Sequence, residues 1–259
     1  YNADPLEFID TIAPTLDLDA GNDQIRGGPD NDLIHAGSGS DQVWAGSGLD
    51  MVWGGTAGDV LLGDSGNDQL LGLAGTDKIV GGAGNDILHG GDDEDILGTL
   101  VESNNFFGQE YLDAGDSEPG NDIMYGDDGS DLIVGGSGSD IIMGGAGNEY
   151  ITADYTGALG LVTGDIVYGE DGADAIWLGD VATTGDTGSN IGVGGNSSGD
   201  QSMDEADIIF GTSGPDMIYG NSQGDSLYGY DGNDQLSGGP GADTIYAYAG
   251  DDTVSGGTE

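Results

Sequence analysis

The chain has 259 residues and sets two Lys+Arg against 49 Asp+Glu, a formal net charge of -47. A polyanion of this kind cannot neutralise phosphates, which excludes nucleic acid and anionic membrane surfaces as partners. It has no Cys and therefore no disulfide, and no apolar run approaches the roughly 18 residues of a membrane-spanning helix.

In chain order, the first segment is a lead-in or N-terminal cap over residues 1–17, with Phe8, Ile9 and Leu16 as its apolar positions. It opens Tyr1-Asn2-Ala3 without Met or a signal-peptide pattern, as a processed product or a fragment would. From 18 to 98 a nine-residue unit recurs, for example Gly81-Gly82-Ala83-Gly84-Asn85-Asp86-Ile87-Leu88-His89. Counting the Asp as position six, the copies fall without slip at Asp23, Asp32, Asp41, Asp50, Asp59, Asp68, Asp77, Asp86 and Asp95. Residues 99–121, with Asn104-Asn105-Phe106-Phe107 and Pro119, break the motif but keep its phase, because Asp95 and Asp122 are three whole periods apart. A second block, 122–152, carries Asp122, Asp131, Asp140 and then Glu149. Residues 153–164 lose phase, and 165–177 hold a short pair at Asp165 and Asp174. Residues 178–206 form a longer insertion rich in Gly, Ser, Thr and Asp. The last block, 207–259, carries Asp207, Asp216, Asp225, Asp234, Asp243 and Asp252, and ends at Gly256-Gly257-Thr258-Glu259, inside a further copy and without a polar cap.

Each copy carries a fold instruction. Gly at positions one, two and four permits the positive φ of a tight turn. Position eight is aliphatic in every copy of this alignment, from Ile25 and Ile34 through Met124 and Ile133 to Ile245 and Val254. One inward side chain in a three-residue strand calls for a very thin core. Two such strands face to face, with a turn at each end, close one coil in two copies, and stacked coils place copies n and n+2 in one parallel sheet. The prediction is an all-β, right-handed parallel β-roll: a solenoid in one elongated domain, with the three irregular stretches extruded as loops.

On these residues the chain resembles the RTX (repeats-in-toxin) family over roughly residues 18–257. That resemblance implies that the position-six Asp residues, Asp23 through Asp252, sandwich Ca²⁺ together with turn carbonyls. It also implies export by type I secretion and Ca²⁺-driven folding outside a bacterial cell. The chemistry of the residues agrees. Ca²⁺ takes six to eight hard oxygen ligands, and a chain without Cys and with two His offers no soft-metal site. A row of Asp at coil spacing repels itself unless a divalent ion lies between the members. One ion per pair of stacked loops gives roughly a dozen Ca²⁺. Glu149 departs from the pattern, and Asp30, Ala57, Asp93, Pro215 and Gln223 intrude on the turn glycines, where weaker or distorted sites are expected.

Other signals point to ordinary roles. Gly195-Asn196-Ser197-Ser198-Gly199 and Gly220-Asn221-Ser222-Gln223-Gly224 match a hydrolase elbow, but a chain this rich in Gly yields that match by accident. The two His, His35 and His89, occupy position nine, and Arg26 and Lys78 are expected to pair with nearby acids. The chain is expected not to be an enzyme. Positions seven and nine face outward and are often apolar, as at Met51 and Trp53, Ile123 and Tyr125, and Ile208 and Phe210. These features suggest a calcium-binding extracellular structural protein of a surface layer, matrix or filament, with copies of itself or cell-surface glycans as partners. The alternatives are the repeat portion of a larger type I-secreted enzyme, toxin or adhesin, and a carbohydrate-binding module.

Overall fold

The computed structural model describes residues 7–8, 16–17, 21–98, 120–136, 138–154, 164–179, 188–195 and 205–258. Most of the lead-in, most of each insertion and the first of the two Gly-x-Ser-x-Gly matches lie outside the described residues. Within them the chain forms strands β1 (Glu7–Phe8) to β24 (Thr253–Ser255), numbered in chain order, and no helix long and apolar enough to cross a membrane. The odd strands stack in sequence order into one parallel sheet of 12 strands, sheet 1, and the even strands into a second, sheet 2. Consecutive copies therefore alternate between two sheets, as the coil argument predicts. Gln42 pairs with Gln24 and Met51 with Leu33, two copies apart.

Register survives the insertions. Ile87 pairs with Ile123 and Leu97 with Ile133, so the stretch between them leaves both sheets in phase. Ile141 pairs with Ile166 across the next break. One strand falls where the sequence reading placed only an extruded loop: β18 (Ile191–Val193) pairs with Ile166–Tyr168 on one side and Met217–Tyr219 on the other. It is a further copy, with Asn190 in the acidic position and Gly192 in the aliphatic one. A Cβ on Gly192 would lie 3.0 Å from a Leu178 methyl and 3.1 Å from one of Ile209. Leu178, at position one of its own copy and fully buried, thus fills the volume that Gly192 leaves. The copy is hidden in the sequence because the large and small residues exchange positions.

The core is a single file of position-eight side chains from each sheet. Ile25, Leu61, Ile79, Ile133, Ile176 and Leu227 from sheet 1 meet Ile34, Leu70, Leu88, Ile142, Val167 and Ile218 from sheet 2, all essentially without solvent contact. Positions seven and nine point away from it. In sheet 1 the position-nine rings form a column: Trp177 on Phe210 at 5.0 Å between centroids, Phe210 on Tyr228 at 4.8 Å, and Tyr228 on Tyr246 at 5.1 Å. Tyr150 stacks on Trp177 at 4.4 Å, and Tyr230 on Tyr248 at 5.3 Å. Sheet 2 carries a position-seven column of Ile87, Ile123, Ile141, Ile166 and Ile191. The Arg26 guanidinium lies over the Trp44 ring, 4.8 Å from the centroid, a cation–π contact, and its charge also opposes the burial that raises the nearby Asp64 carboxyl.

Many of the turns keep a left-handed backbone even where Gly is lost. Position two takes φ 96° at Gly82 and 129° at Gly55, but 70° at Asp64, 85° at Leu73, 78° at Glu170 and 69° at Tyr230. A side chain contracts the torsion into the narrow left-handed basin that an L-residue can enter at a cost. Position four behaves likewise at Ala57, Asp93 and Gln223, with φ of 74°, 80° and 79°. Three of the residues singled out as intruders are therefore accommodated by strain, not by a different turn.

Candidate metal centres

The position-six residues form two ladders, one along each edge of the roll. Ladder 1 precedes the sheet 1 strands and runs Asp23, Asp41, Asp59, Asp77, Asp95, Asp131, Glu149, Asp174, Asp207, Asp225, Asp243. Ladder 2 precedes sheet 2 and runs Asp32, Asp50, Asp68, Asp86, Asp122, Asp140, Asp165, Asn190, Asp216, Asp234, Asp252. All twenty predicted Asp ligands are in these two files, and none is elsewhere.

The rungs are tied forward, except from Asp131 to Glu149. The backbone N–H of Asp50 donates to Asp68 Oδ1 at 2.8 Å, and that of Asp68 donates to Asp86 Oδ1 at 2.7 Å. On the other edge Asp59 donates to Asp77 Oδ1 at 2.7 Å, and Asp77 to Asp95 Oδ1 at 2.8 Å. The carbonyls of the same residues accept from position seven of the next coil, as from Gln69 N–H to Asp50 at 2.9 Å. The first carboxylate oxygen thus continues the backbone ladder around the turn, and that duty leaves the second oxygen over. In Asp41, Asp50, Asp59, Asp68, Asp77, Asp95, Asp131, Asp234 and Asp243 that second oxygen is buried and has no hydrogen-bond partner.

A buried acceptor without a donor is expensive, and a buried charge more so. Burial pushes the carboxyls of Asp59, Asp68 and Asp95 up to about 7, against the lowering by the backbone N–H each accepts and together with neighbouring ladder carboxylates. Asp77, Asp131 and Asp234 are pushed to about 6 for the same first reason. The second oxygen points toward position one of its own copy. A Cβ on Gly63 would stand 2.6 Å from Asp68 Oδ2 and on top of the Gly81 carbonyl of the next coil. On Gly229 it would be 2.6 Å from Asp234 Oδ2 and 2.9 Å from the Ala247 carbonyl. Among the described residues no three carboxylate or imidazole side chains converge as a ligand cluster. A cation at these edges would therefore draw on few carboxylates and complete its shell with turn carbonyls. Such a donor set of hard oxygens fits Ca²⁺, which tolerates irregular geometry and high coordination number.

Three rungs differ. Glu149 is buried in line, and its N–H donates to Asp174 Oδ1 at 3.0 Å, but neither of its own carboxylate oxygens has a hydrogen-bond partner. Burial and the adjacent Asp174 carboxylate both push its proton affinity up. Asn190, unforeseen in the sequence, accepts the Asp165 N–H through Oδ1 at 2.9 Å. Asp216 has its second oxygen occupied by Thr212, whose N–H and hydroxyl donate to it at 2.7 and 2.9 Å.

A second ladder of side chains also went unread. Asn at position five accepts the N–H of the next coil's position five: Ser40 to Asn22 at 3.0 Å, Asn85 to Asn67 at 3.1 Å, Asn121 to Asn85 at 3.0 Å, Asp251 to Asn233 at 2.9 Å. The recurrence of Asn just before the Asp carried that signal.

Neither His belongs to such a site. His35 stacks on Trp53 at 4.2 Å, and His89 stacks on Tyr125 at 4.4 Å with Nδ1 3.2 Å from an Asp127 carboxylate oxygen.

Comparison with protein families matches the profile described as RTX calcium-binding nonapeptide repeat at residues 17–52, 53–88, 71–98, 116–151, 164–182, 203–236 and 228–258. The matched segments cover most of the chain and leave out the centre of each irregular stretch. No curated protein matches the chain.

Proposed function

The chain belongs to the RTX calcium-binding nonapeptide repeat family, and from that premise we propose that it is a non-enzymatic, extracellular structural protein that folds on Ca²⁺. The observation that carries the reading is the file of buried carboxylate oxygens without hydrogen-bond partners along both edges. Without a cation, a core one side chain deep has to offset backbone entropy and the repulsion of two acidic ladders together. With roughly a dozen Ca²⁺ the same oxygens become ligands, so metal binding is folding. The ladder Asp residues named above, apart from Asp216 with its Thr212 donors, are the proposed ligand set, and the extracellular millimolar regime of Ca²⁺ suits it. Export from a bacterium by type I secretion is part of the same reading. Circular dichroism tests it: chelator should abolish the β signal and Ca²⁺ restore it, and an unchanged spectrum in chelator would overturn it.

The outward faces favour association with copies of the chain over glycan binding. Sugar recognition by aromatics uses open ring faces. In the sheet 1 column the faces of Phe210 and Tyr228 are taken up by their neighbours, at 16–19° between planes. Tyr246 and Tyr150, each stacked against a single ring, stay about half exposed (47% and 49%). Electron microscopy with and without Ca²⁺ checks the assembly, which predicts fibres or sheets only in Ca²⁺. A second reading, the repeat portion of a larger secreted enzyme, toxin or adhesin, is favoured by the family profile matching repeats alone. The length of the full gene separates the two.

A further inference from the structure

We infer that one rung of ladder 2 has no calcium because the protein closes it itself: Thr212 takes the place of the cation at Asp216. The inference rests on the reading that the other ladder Asp residues hold Ca²⁺.

Among the described residues position two of the turn is otherwise Gly, or a residue held in the left-handed region such as Asp64, Asn221 or Tyr230. Thr212 is not among the left-handed residues. Its N–H is turned onto Asp216 Oδ2 at 2.7 Å, and its hydroxyl donates to the same oxygen at 2.9 Å. The hydroxyl is held in place by accepting the Gly214 N–H at 3.1 Å. Asp216 Oδ1 meanwhile accepts the Asn190 N–H at 3.1 Å, the same forward tie that Asp50 and Asp68 make. Three donors on one buried carboxylate satisfy it without a metal. A cation at Oδ2 would have to face an N–H and an O–H, both of the wrong polarity. Thr212 is 2% exposed, so the arrangement is built in and shielded from competing water.

The preceding rung reinforces the break. Asn190 presents Oδ1 to the Asp165 N–H, which places its amide nitrogen where an Asp has its second oxygen. That nitrogen is buried and finds no acceptor. An amide N–H repels a cation. Two successive rungs of ladder 2, Asn190 and Asp216, thus lack an oxygen that seeks a metal, while ladder 1 continues through Asp174 and Asp207 on the opposite edge of the same coils. The calcium of ladder 2 is divided into one group ending at Asp165 and another beginning at Asp234.

Native mass spectrometry of the full chain in saturating CaCl₂ tests this by counting bound ions in wild type, Asp59→Asn, Asp216→Asn and Thr212→Gly. Asp59→Asn should carry fewer ions than wild type. Asp216→Asn should carry the wild-type number. Thr212→Gly removes the hydroxyl and allows the left-handed turn, so it should gain one ion. Loss of an ion in Asp216→Asn overturns the inference, as does an unchanged count in Thr212→Gly, which decides the matter if Asp216→Asn does not fold. If Asp59→Asn loses none, it is the calcium reading of the ladders that fails.

Discussion

Asp68→Asn should change the sign of its effect on stability with the presence of calcium. Asp68 is 1% exposed; Oδ1 accepts the Asp50 N–H at 2.8 Å, and Oδ2 has no partner. Asn keeps the first contact and replaces the second oxygen with a donor beside the Gly81 carbonyl. At ladder spacing of ~4.8 Å and an effective dielectric near 20, each flanking carboxylate, Asp50 and Asp86, repels Asp68 by about 3.5 kcal/mol. Burial first, and then the same flanking carboxylates, displace its pKa from 3.8 to about 7. Three units at 1.36 kcal/mol each is about 4 kcal/mol, the cost of keeping that group charged in the metal-free fold. In chelator at pH 8 the variant should therefore be more stable than wild type by about 2–4 kcal/mol. With Ca²⁺ at a thousandfold its dissociation constant, wild type gains about 4.1 kcal/mol per site, which the variant loses where Asp68 is a ligand and which outweighs the metal-free gain. Urea titrations followed by far-ultraviolet circular dichroism give both numbers, with sucrose added to the chelator samples to bring the metal-free fold into range. A variant destabilised in both buffers, or stabilised in both, refutes the reasoning.

The raised ladder pKa values fix a pH dependence. A carboxyl that binds its proton more tightly when folded contributes stability below its unfolded value near 3.8, and loses it as pH rises through about 6–7. In chelator the β signal should grow on acidification from pH 8 to pH 5, and no change would contradict the burial of these groups. Leu70→Ala, at a fully buried position eight, should cost about 2–5 kcal/mol in Ca²⁺, read from the urea midpoint. Gly84→Ala places a Cβ against the Gly66 carbonyl at φ 137° and should cost well over 1 kcal/mol. Ala57→Gly relieves φ 74° at the equivalent position and should stabilise by up to about 1 kcal/mol, measured in the same titration.

What was legible in the sequence is what repeats identically: the position-eight file, the ladder Asp residues, and the in-phase insertion before Asp122. What was not legible depends on pairs of residues that depart from the pattern together. Gly192 hides its copy because the missing side chain is supplied by Leu178, fourteen residues earlier. Thr212 looks like a lost turn glycine until its donors are seen on Asp216. Left-handed Leu73 and Glu170 look like defects, yet the stacked coils above and below force the torsion on them. Arg26 and Trp44 are a full coil apart in the chain, and only the stacking reveals that they touch.

The alternation of consecutive copies between two sheets governs how such a chain can change length. Excising residues 51–68, one whole coil, would join Asp50 to Gln69 and leave every later strand in its own sheet. Excising nine would carry all later strands to the opposite sheet, setting the Phe210–Tyr228–Tyr246 column onto the side where the isoleucine column now runs. The step from Ile87 to Ile123 shows the permitted arithmetic, since it doubles the coil and preserves both faces. Length in this architecture therefore has a parity: growth and loss by whole coils are silent at the surface, and a single added or missing copy interchanges its two faces from that point onward.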